Sequence, residues 1–577
     1  MRRYAVYLKK YKKQVILGPF FKLLEAIFEL IIPLIMARLI DLGIKNGDTP
    51  YVLRMSALML LLAACGLGCA LFCQYSASIA AQGFGTELRN DLFRHVGTLS
   101  HRELDRFGTA SLSTRITNDV NQLQFAVAML IRLVIRAPFL CIGGLISCML
   151  IDFQISIVLL VTIPLFVGVL AVIMRKTIPL YKKLQQKLDA IGSAARENLS
   201  GIRIIRAFAR VEKEEKRFEE TSESHTASAV SVGRLSALSN PLTTLIMNIG
   251  ILAILWFGGV RVSAGRLTQG EIVAIINYMS QILLALIVVA NLVVTFTKAS
   301  ASAARVGEVL DTSSSITDAP GARPFPAGPA EISFDHVSFS YGEKSENALC
   351  DITFTARPGQ TVGVIGLTGS GKSTLINLVP RFYDVTGGSI RINGVDVRNI
   401  PQKQLRDQIG FVPQKSVLFS GTVLSNLRFK KQDASLEECK NAARIAQAAE
   451  FIEQKPEGYE AKIERGGANL SGGQRQRLSI ARALVGRPPI LILDDSASAL
   501  DFATEARLRR ALKTELRGTT VLLVSQRSGA VRHADLIVVL DEGQAVGIGT
   551  HEELLHSCER YREIYNAQAE ESEAVQK

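Results

Sequence analysis

Four uncharged apolar runs limit what this chain can fold into. Residues 55–86, 153–174, 235–260 and 272–297 contain no Asp, Glu, Lys or Arg. Each exceeds the ~20 residues a helix needs to cross the hydrocarbon core. In lipid the backbone has no water to bond, so such runs must close their own hydrogen bonds as helices. Residues 15–39 and 126–151 are apolar as well, but Lys22, Glu25, Glu29, Arg132 and Arg136 interrupt them and must face protein or water. The expectation is six spans, and 48% hydrophobic composition agrees with a chain partly in lipid.

An even number of spans puts both termini on one side. The opening "MRRYAVYLKKYKK" holds six Lys/Arg in its first 13 residues, which marks that side as the cytoplasm. "RKTIPLYKKLQQK" and "RIIRAFARVEKEEKR", between the fourth and fifth spans, are basic too, whereas the short loops near Asn46 and Asp152 are not. The reading is a multi-pass protein of the cell (inner) membrane with termini and soluble part cytoplasmic. The net charge of +13 follows from that topology. The basic residues flank spans instead of lining an aromatic-studded face, so no nucleic-acid partner is expected. Glu25 and Glu29 inside the first run, with no small-residue cleavage site after it, argue against a secretory signal. Of eight Cys, five (Cys65, Cys69, Cys73, Cys141, Cys148) lie in spans and three (Cys350, Cys439, Cys558) in the cytosolic part, so no disulfide framework is implied. Cys65, Cys69 and Cys73 share a helical face, but no His or carboxylate joins them, and packing is expected over metal.

The hydrophobic spans end near Thr297, and the Pro/Gly-rich "APGARPFPAGPAE" after it reads as a linker. The expected division is 1–310 for an all-α transmembrane domain with two long intracellular loops, 311–330 for the linker, and 331–577 for an α/β domain. Beyond Glu331, "EISFDHVSFSY" alternates as a half-buried strand, while "TVGVIG", "ILIL" and "TVLLV" are short unbroken apolar runs separated by helical stretches. That is the pattern of a parallel sheet covered on both faces. The cytosolic stretches between spans two and three, and four and five, are too long for loops and helical in pattern, so the membrane helices should continue into the cytoplasm.

"GLTGSGKST" follows the strand "TVGVI" and precedes an apolar helix pattern, with the form G-x-x-x-x-G-K-[ST] of a phosphate-binding loop. In such a loop Gly366, Leu367, Thr368, Gly369, Ser370 and Gly371 supply backbone N–H groups, Lys372 reaches the outer phosphates, and the hydroxyl of Ser373, followed by Thr374, can ligate Mg²⁺. ATP and Mg²⁺ are the cofactors expected.

Downstream come Gln414 in "FVPQ", "LSGGQRQR" and "LILDDSASALD". With the phosphate loop, these strongly resemble the nucleotide-binding domain of ABC transporters. In the membrane half, "STRITNDV" and "ENLSGIRIIRAF" look like the intracellular loops of ABC exporters, so the resemblance covers essentially the whole chain. It implies roles one residue at a time. Tyr341 resembles the aromatic that stacks on adenine. Gln414 resembles the residue that contacts Mg²⁺ and couples to the membrane helices, and Asp494 the carboxylate behind the metal. Leu470, Ser471, Gly472, Gly473 and Gln474 look like the signature that closes over ATP held by an opposite domain, so a complete site needs two such domains.

Two positions depart from that pattern. Hydrolytic members place Glu after the Mg²⁺-linked Asp; this chain has Asp495, a side chain shorter by ~1.5 Å, enough to break general-base reach. The switch segment "TVLLVSQRS" carries Gln526 where the family usually places His, and Gln cannot carry charge. Together they imply a site that binds ATP and hydrolyses it poorly beside an intact signature. The resemblance is to one half of the heterodimeric bacterial ABC multidrug exporters, whose different partner half would carry the catalytic Glu and the switch His. The expected activity is ATP-driven efflux of amphipathic small molecules, with membrane lipid around it. A lipid or peptide translocase, or an ATP-gated regulatory subunit, remains the alternative. Glu25 and Glu29 share a face of the first span as candidates for a substrate cavity; pairing with Lys22, Arg132 or Arg136 is the other reading.

Overall fold

The computed structural model describes residues 2–342, 346–496 and 499–576. Ala497 and Ser498, the latter opening the "SALD" stretch, lie outside them. The chain divides into two compact units, Met1–Gly97 with Ala110–Asp311, and Thr98–Thr109 with Thr312–Lys577.

The first unit is all helix. Among the described residues, five helices are long and apolar enough to cross a membrane: Thr49–Val96, Thr109–Ile151, Phe153–Ala207, Val211–Ser263 and Gln269–Asp311. The helix Lys12–Arg38 is long and continuous, but Lys22, Glu25 and Glu29 in its middle set it apart from those five, so the number of spans is approximate. At about 1.5 Å per residue, the 55 residues of Phe153–Ala207 far exceed a ~30 Å core. The expected continuation of the membrane helices beyond their apolar runs is therefore present.

Two spans are built differently from their apolar runs. The third is interrupted by a turn at Val134–Ile135, between Val120–Leu133 and Arg136–Ile151. The fourth long helix breaks at Leu238, so Ser239–Ser263 starts four residues into the run expected at 235–260. Pro138 and Pro241 explain both breaks, because a proline ring clashes with the carbonyl four residues back and donates no hydrogen bond. Ala26, Leu30, Leu140, Tyr278 and Ile282 are in the core of this unit, and the Tyr278 hydroxyl donates to the Leu30 carbonyl. Within "STRITNDV", Arg115–Asp119 is π-helical. Buried Asp119 accepts from Ser302 Oγ at 2.9 Å and from Arg305 Nε at 2.9 Å.

The second unit is α/β. Its strands are β1 Ile332–Phe339, β2 Leu349–Ala356, β3 Thr361–Ile365, β4 Gly387–Ile392, β5 Val395–Asp396, β6 Ile409–Val412, β7 Gly421–Thr422, β8 Lys462–Ile463, β9 Ile490–Asp494, β10 Thr520–Val524, β11 Leu536–Asp541 and β12 Gln544–Gly549. One sheet is antiparallel in the order β2-β1-β4-β5; the other runs β12-β11-β3-β10-β9-β6 and is parallel except for β12. Every residue of β9 is buried, as a strand covered on both faces requires. In β1 the alternation changes phase, with Ile332 and Phe334 buried and then Val337 and Phe339. The register shift between Phe334 and Val337 is a bulge, with His336 at φ 48°, and it keeps both apolar pairs on the core side.

Candidate nucleotide-binding site

Strand register brings the key residues together. Val524 pairs with Asp494 on one side of β10 and with Val364 on the other. The carboxyl ends of β3, β9 and β10 therefore finish side by side, and the segments leaving them carry the phosphate loop, Asp495 and Gln526. Crevices at such strand ends are where open α/β sheets bind ligands.

The phosphate loop needs its glycines for different reasons. A Cβ on Gly366 would sit 2.1 Å from the Leu540 carbonyl, so only glycine fits against β11. Gly369 and Gly371 take φ of 86° and 95°, the left-handed region that glycine enters without steric cost. Helix Lys372–Leu378 starts at the loop, with its unbonded N–H groups at the loop end. The buried Lys372 amine donates to the carbonyls of Gly366 at 2.9 Å and Leu367 at 2.6 Å. Burial lowers its pKa, opposed by the charges of Asp495 and Asp494. Ser373 Oγ donates to Asp494 at 3.1 Å, and Tyr341 shares a hydrogen bond with Thr374 at 3.0 Å. Tyr341 is 47% exposed and edge-on to Phe339 and Tyr383. This donor set fits a Mg²⁺-nucleotide: a glycine loop at a helix start, one ammonium, one hydroxyl and a carboxylate behind it.

Asp495 has φ 42°, outside the comfortable range for a non-glycine residue. Burial raises its pKa, while its carboxylate accepts from the Gln414 side chain and from the backbone N–H of Gln526. Asp494 is raised too, first by burial and then by the charge of Asp495, against the Ser373 hydrogen bond. Two adjacent carboxyls are thus held in a partly desolvated pocket with Gln414, Gln526 and Lys372 around them.

The signature occupies the start of helix Gly472–Leu484. Ser471 Oγ accepts from the Gln474 N–H at 3.2 Å, and Gln474 returns a carboxamide oxygen to the Ser471 N–H at 3.0 Å, a reciprocal cap that leaves the neighbouring N–H groups pointing outward. Leu470 is buried beneath it. Gly473 lies close to the Ala499 carbonyl, whereas a Cβ on Gly472 would meet nothing within 4 Å.

Three contributors escaped the sequence reading. Gln568 accepts from Ser528 N–H at 2.7 Å and Ser528 Oγ at 2.9 Å and donates to the Gln526 carbonyl at 2.8 Å, so the last helix holds the switch segment. Arg527 lies over the Phe502 ring and 3.9 Å from Glu505. Burial raises the Glu505 pKa, with Arg509 and Arg527 opposing. No motif marks any of them, because each acts across a fold-dependent distance.

In the first unit, Glu25 is paired with Lys22 at 2.7 Å and Glu29 with Arg136 at 2.7 Å.

The chain matches two families, "ABC transporter transmembrane region" over residues 15–286 and "ABC transporter" over residues 349–498. It is 37% identical over 568 residues to an ABC transporter ATP-binding protein of Mycobacterium tuberculosis, covering 98% of this chain and 97% of that protein. It is 33% identical to a Bacillus subtilis ATP-binding/permease protein named for multidrug export, over 98% of this chain and 99% of that one. An ATP-dependent lipid A-core flippase of Chromobacterium violaceum is also 33% identical, over 99% and 98%. The solved structure of a bacterial Atm1-family ABC exporter with ATP bound superposes with TM-score 0.80 at 26% identity, over 97% and 98% of the two chains. Helical membrane unit, phosphate loop, signature and full-length similarity all agree: the chain belongs to the ABC transporters, as an exporter with a transmembrane domain joined to a cytoplasmic ATP-driven nucleotide-binding domain.

Proposed function

We propose that this chain is one half of a heterodimeric exporter that moves amphipathic small molecules outward, with a weakly hydrolytic ATP site of its own and an intact signature for its partner's site. The observation that carries the reading is the environment of Asp495. Its short carboxylate is engaged by the Gln414 amide and the Gln526 N–H, and the switch residue beside it has no ionisable group. Neither is suited to taking a proton from water at the reach a general base needs.

Within the site, the glycine cradle and Lys372 bind phosphate, Tyr341 offers an exposed ring for a base, and Ser373, Gln414 and Asp494 are the groups that would hold Mg²⁺. Magnesium, when bound, neutralises charge building on the phosphates. Gln526 donates a neutral hydrogen bond where a histidine could donate a charged one. Gly472 and Gly473, between the capped Ser471 and Gln474, present their N–H groups to ATP on the other half.

A lipid translocase is the second reading, favoured by the full-length similarity to the flippase. Substrate-stimulated ATP turnover by the purified pair, lost when the partner's catalytic Glu is changed to Gln, supports the transporter reading. Turnover that survives that change contradicts the asymmetry.

A further inference from the structure

A groove of about 580 Å³ lies between helix Thr49–Val96 and helix Val120–Leu133, within the range of small-molecule sites. Gln74, Ser78 and Gln82, spaced i, i+4, i+8, form one wall; Asn121, Phe125 and Arg132 are on the other. Polar side chains in an apolar span are costly unless they meet water or a ligand.

The charges in and beside this part of the unit do not cancel. Lys22 is matched by Glu25 and Glu29 by Arg136. Glu87 is matched by Lys10. Arg132 has no hydrogen bond or ion pair among the described residues. Arg89, outside the lining, donates to the side-chain oxygens of the lining residues Asn121 and Gln124 and to no carboxylate. No Asp or Glu lines the groove. One unpaired guanidinium, a row of amides and one aromatic ring therefore line a common space with no carboxylate in its lining.

We infer that this groove binds the anionic head of an amphiphile, with Arg132 as its principal cation, the amides bonding the head's oxygens and Phe125 against the start of the tail. This deepens the exporter reading by giving its substrate a charge, and it rests on that reading. Carboxylate and phosphate heads share the required chemistry, since both present oxygen acceptors to a planar guanidinium fork.

The test uses the full chain in phosphatidylcholine nanodiscs without nucleotide. The probes are 11-(dansylamino)undecanoic acid and the equal-length trimethylammonium analogue, read by dansyl fluorescence. Wild type should bind the carboxylate about tenfold or more tighter than the cation. Arg132→Gln, which breaks no ion pair, should erase that preference, and Arg132→Lys should keep most of it. Ser78→Phe, which fills the groove from the opposite helix without altering charge, should weaken the carboxylate probe about tenfold. Equal or tighter binding of the cation by wild type overturns the proposal. So does an Arg132→Gln chain that keeps the carboxylate's affinity, whatever Ser78→Phe does. ATP turnover is measured separately, so failure of the asymmetric-exporter reading leaves this equilibrium result standing, and the reverse.

Discussion

Changing Gly472 to Asp separates a fold effect from a site effect. Gly472 is the first residue of its helix, and a Cβ there meets nothing within 4 Å. Replacing glycine removes a propensity cost of up to ~1 kcal/mol, and a carboxylate in the first turn of a helix gains ~0.3 to 1 kcal/mol from the dipole. The single chain should therefore fold as well as wild type or better. In the closed pair the same carboxylate would face the phosphates of ATP held by the partner. At ~4 Å and an effective dielectric of ~20, each pair of unit charges repels by ~4 kcal/mol, or about a thousandfold in rate. The assay is ATP turnover of the co-purified halves, with thermal denaturation of the same sample as the control. Turnover should fall about a thousandfold with the melting midpoint unchanged or raised. Near-normal turnover in a fully assembled Gly472→Asp pair refutes the placement of this helix start against phosphate.

Further predictions concern this chain's own site and the buried Lys430. Lys372→Ala removes the one ammonium in the phosphate loop, so it should weaken ATP binding here and slow the cycle of the pair without abolishing it; complete loss of transport with normal assembly contradicts this. Asp495→Glu with Gln526→His should gain more hydrolysis at this site than the two single changes summed, because both residues act on one water-phosphate arrangement; simple additivity in single-turnover measurements counts against it. Burial brings the Lys430 pKa down to about 8 from an ordinary 10.5, and its amine donates to the Ile409 carbonyl at 3.0 Å. The unfolded chain then binds the extra proton between those two values, so stability should rise with pH across that window. In thermal melts at pH 8 and pH 10, Lys430→Met should lose that rise, and parallel curves for the two proteins refute the assignment.

What was legible in the sequence was what is local. The phosphate loop is one strand, one glycine-rich turn and one helix start, and the reciprocal cap on Ser471 lies within four residues. Asp495 and Gln526 could each be picked out by their departure from a motif, but their meeting depends on Val524 pairing with Asp494 in the sheet. Gln568 was invisible, because its partners lie 40 and 42 residues away on a different element. The two proline breaks were readable from Pro138 and Pro241 and were masked by the apolar runs around them. Residues Thr98–Thr109 sit between two membrane helices in sequence yet cluster with the soluble unit: Tyr383 donates to Asp105 at 2.5 Å, and His101 packs on Phe382 with ring centroids 4.4 Å apart. Composition carries no trace of such contacts. Charges in the spans were legible one at a time, but which of them find partners was not.

The most direct test is the ATP turnover of this chain purified alone, measured beside its ATP affinity and then repeated with the partner half. The account predicts ATP binding with at most trace turnover alone, and recovery only in the pair. A homodimer of this chain that hydrolyses ATP at ~1 s⁻¹ or faster, within the ordinary range of enzymes, would show Asp495 to be a working base and contradict the asymmetric heterodimer.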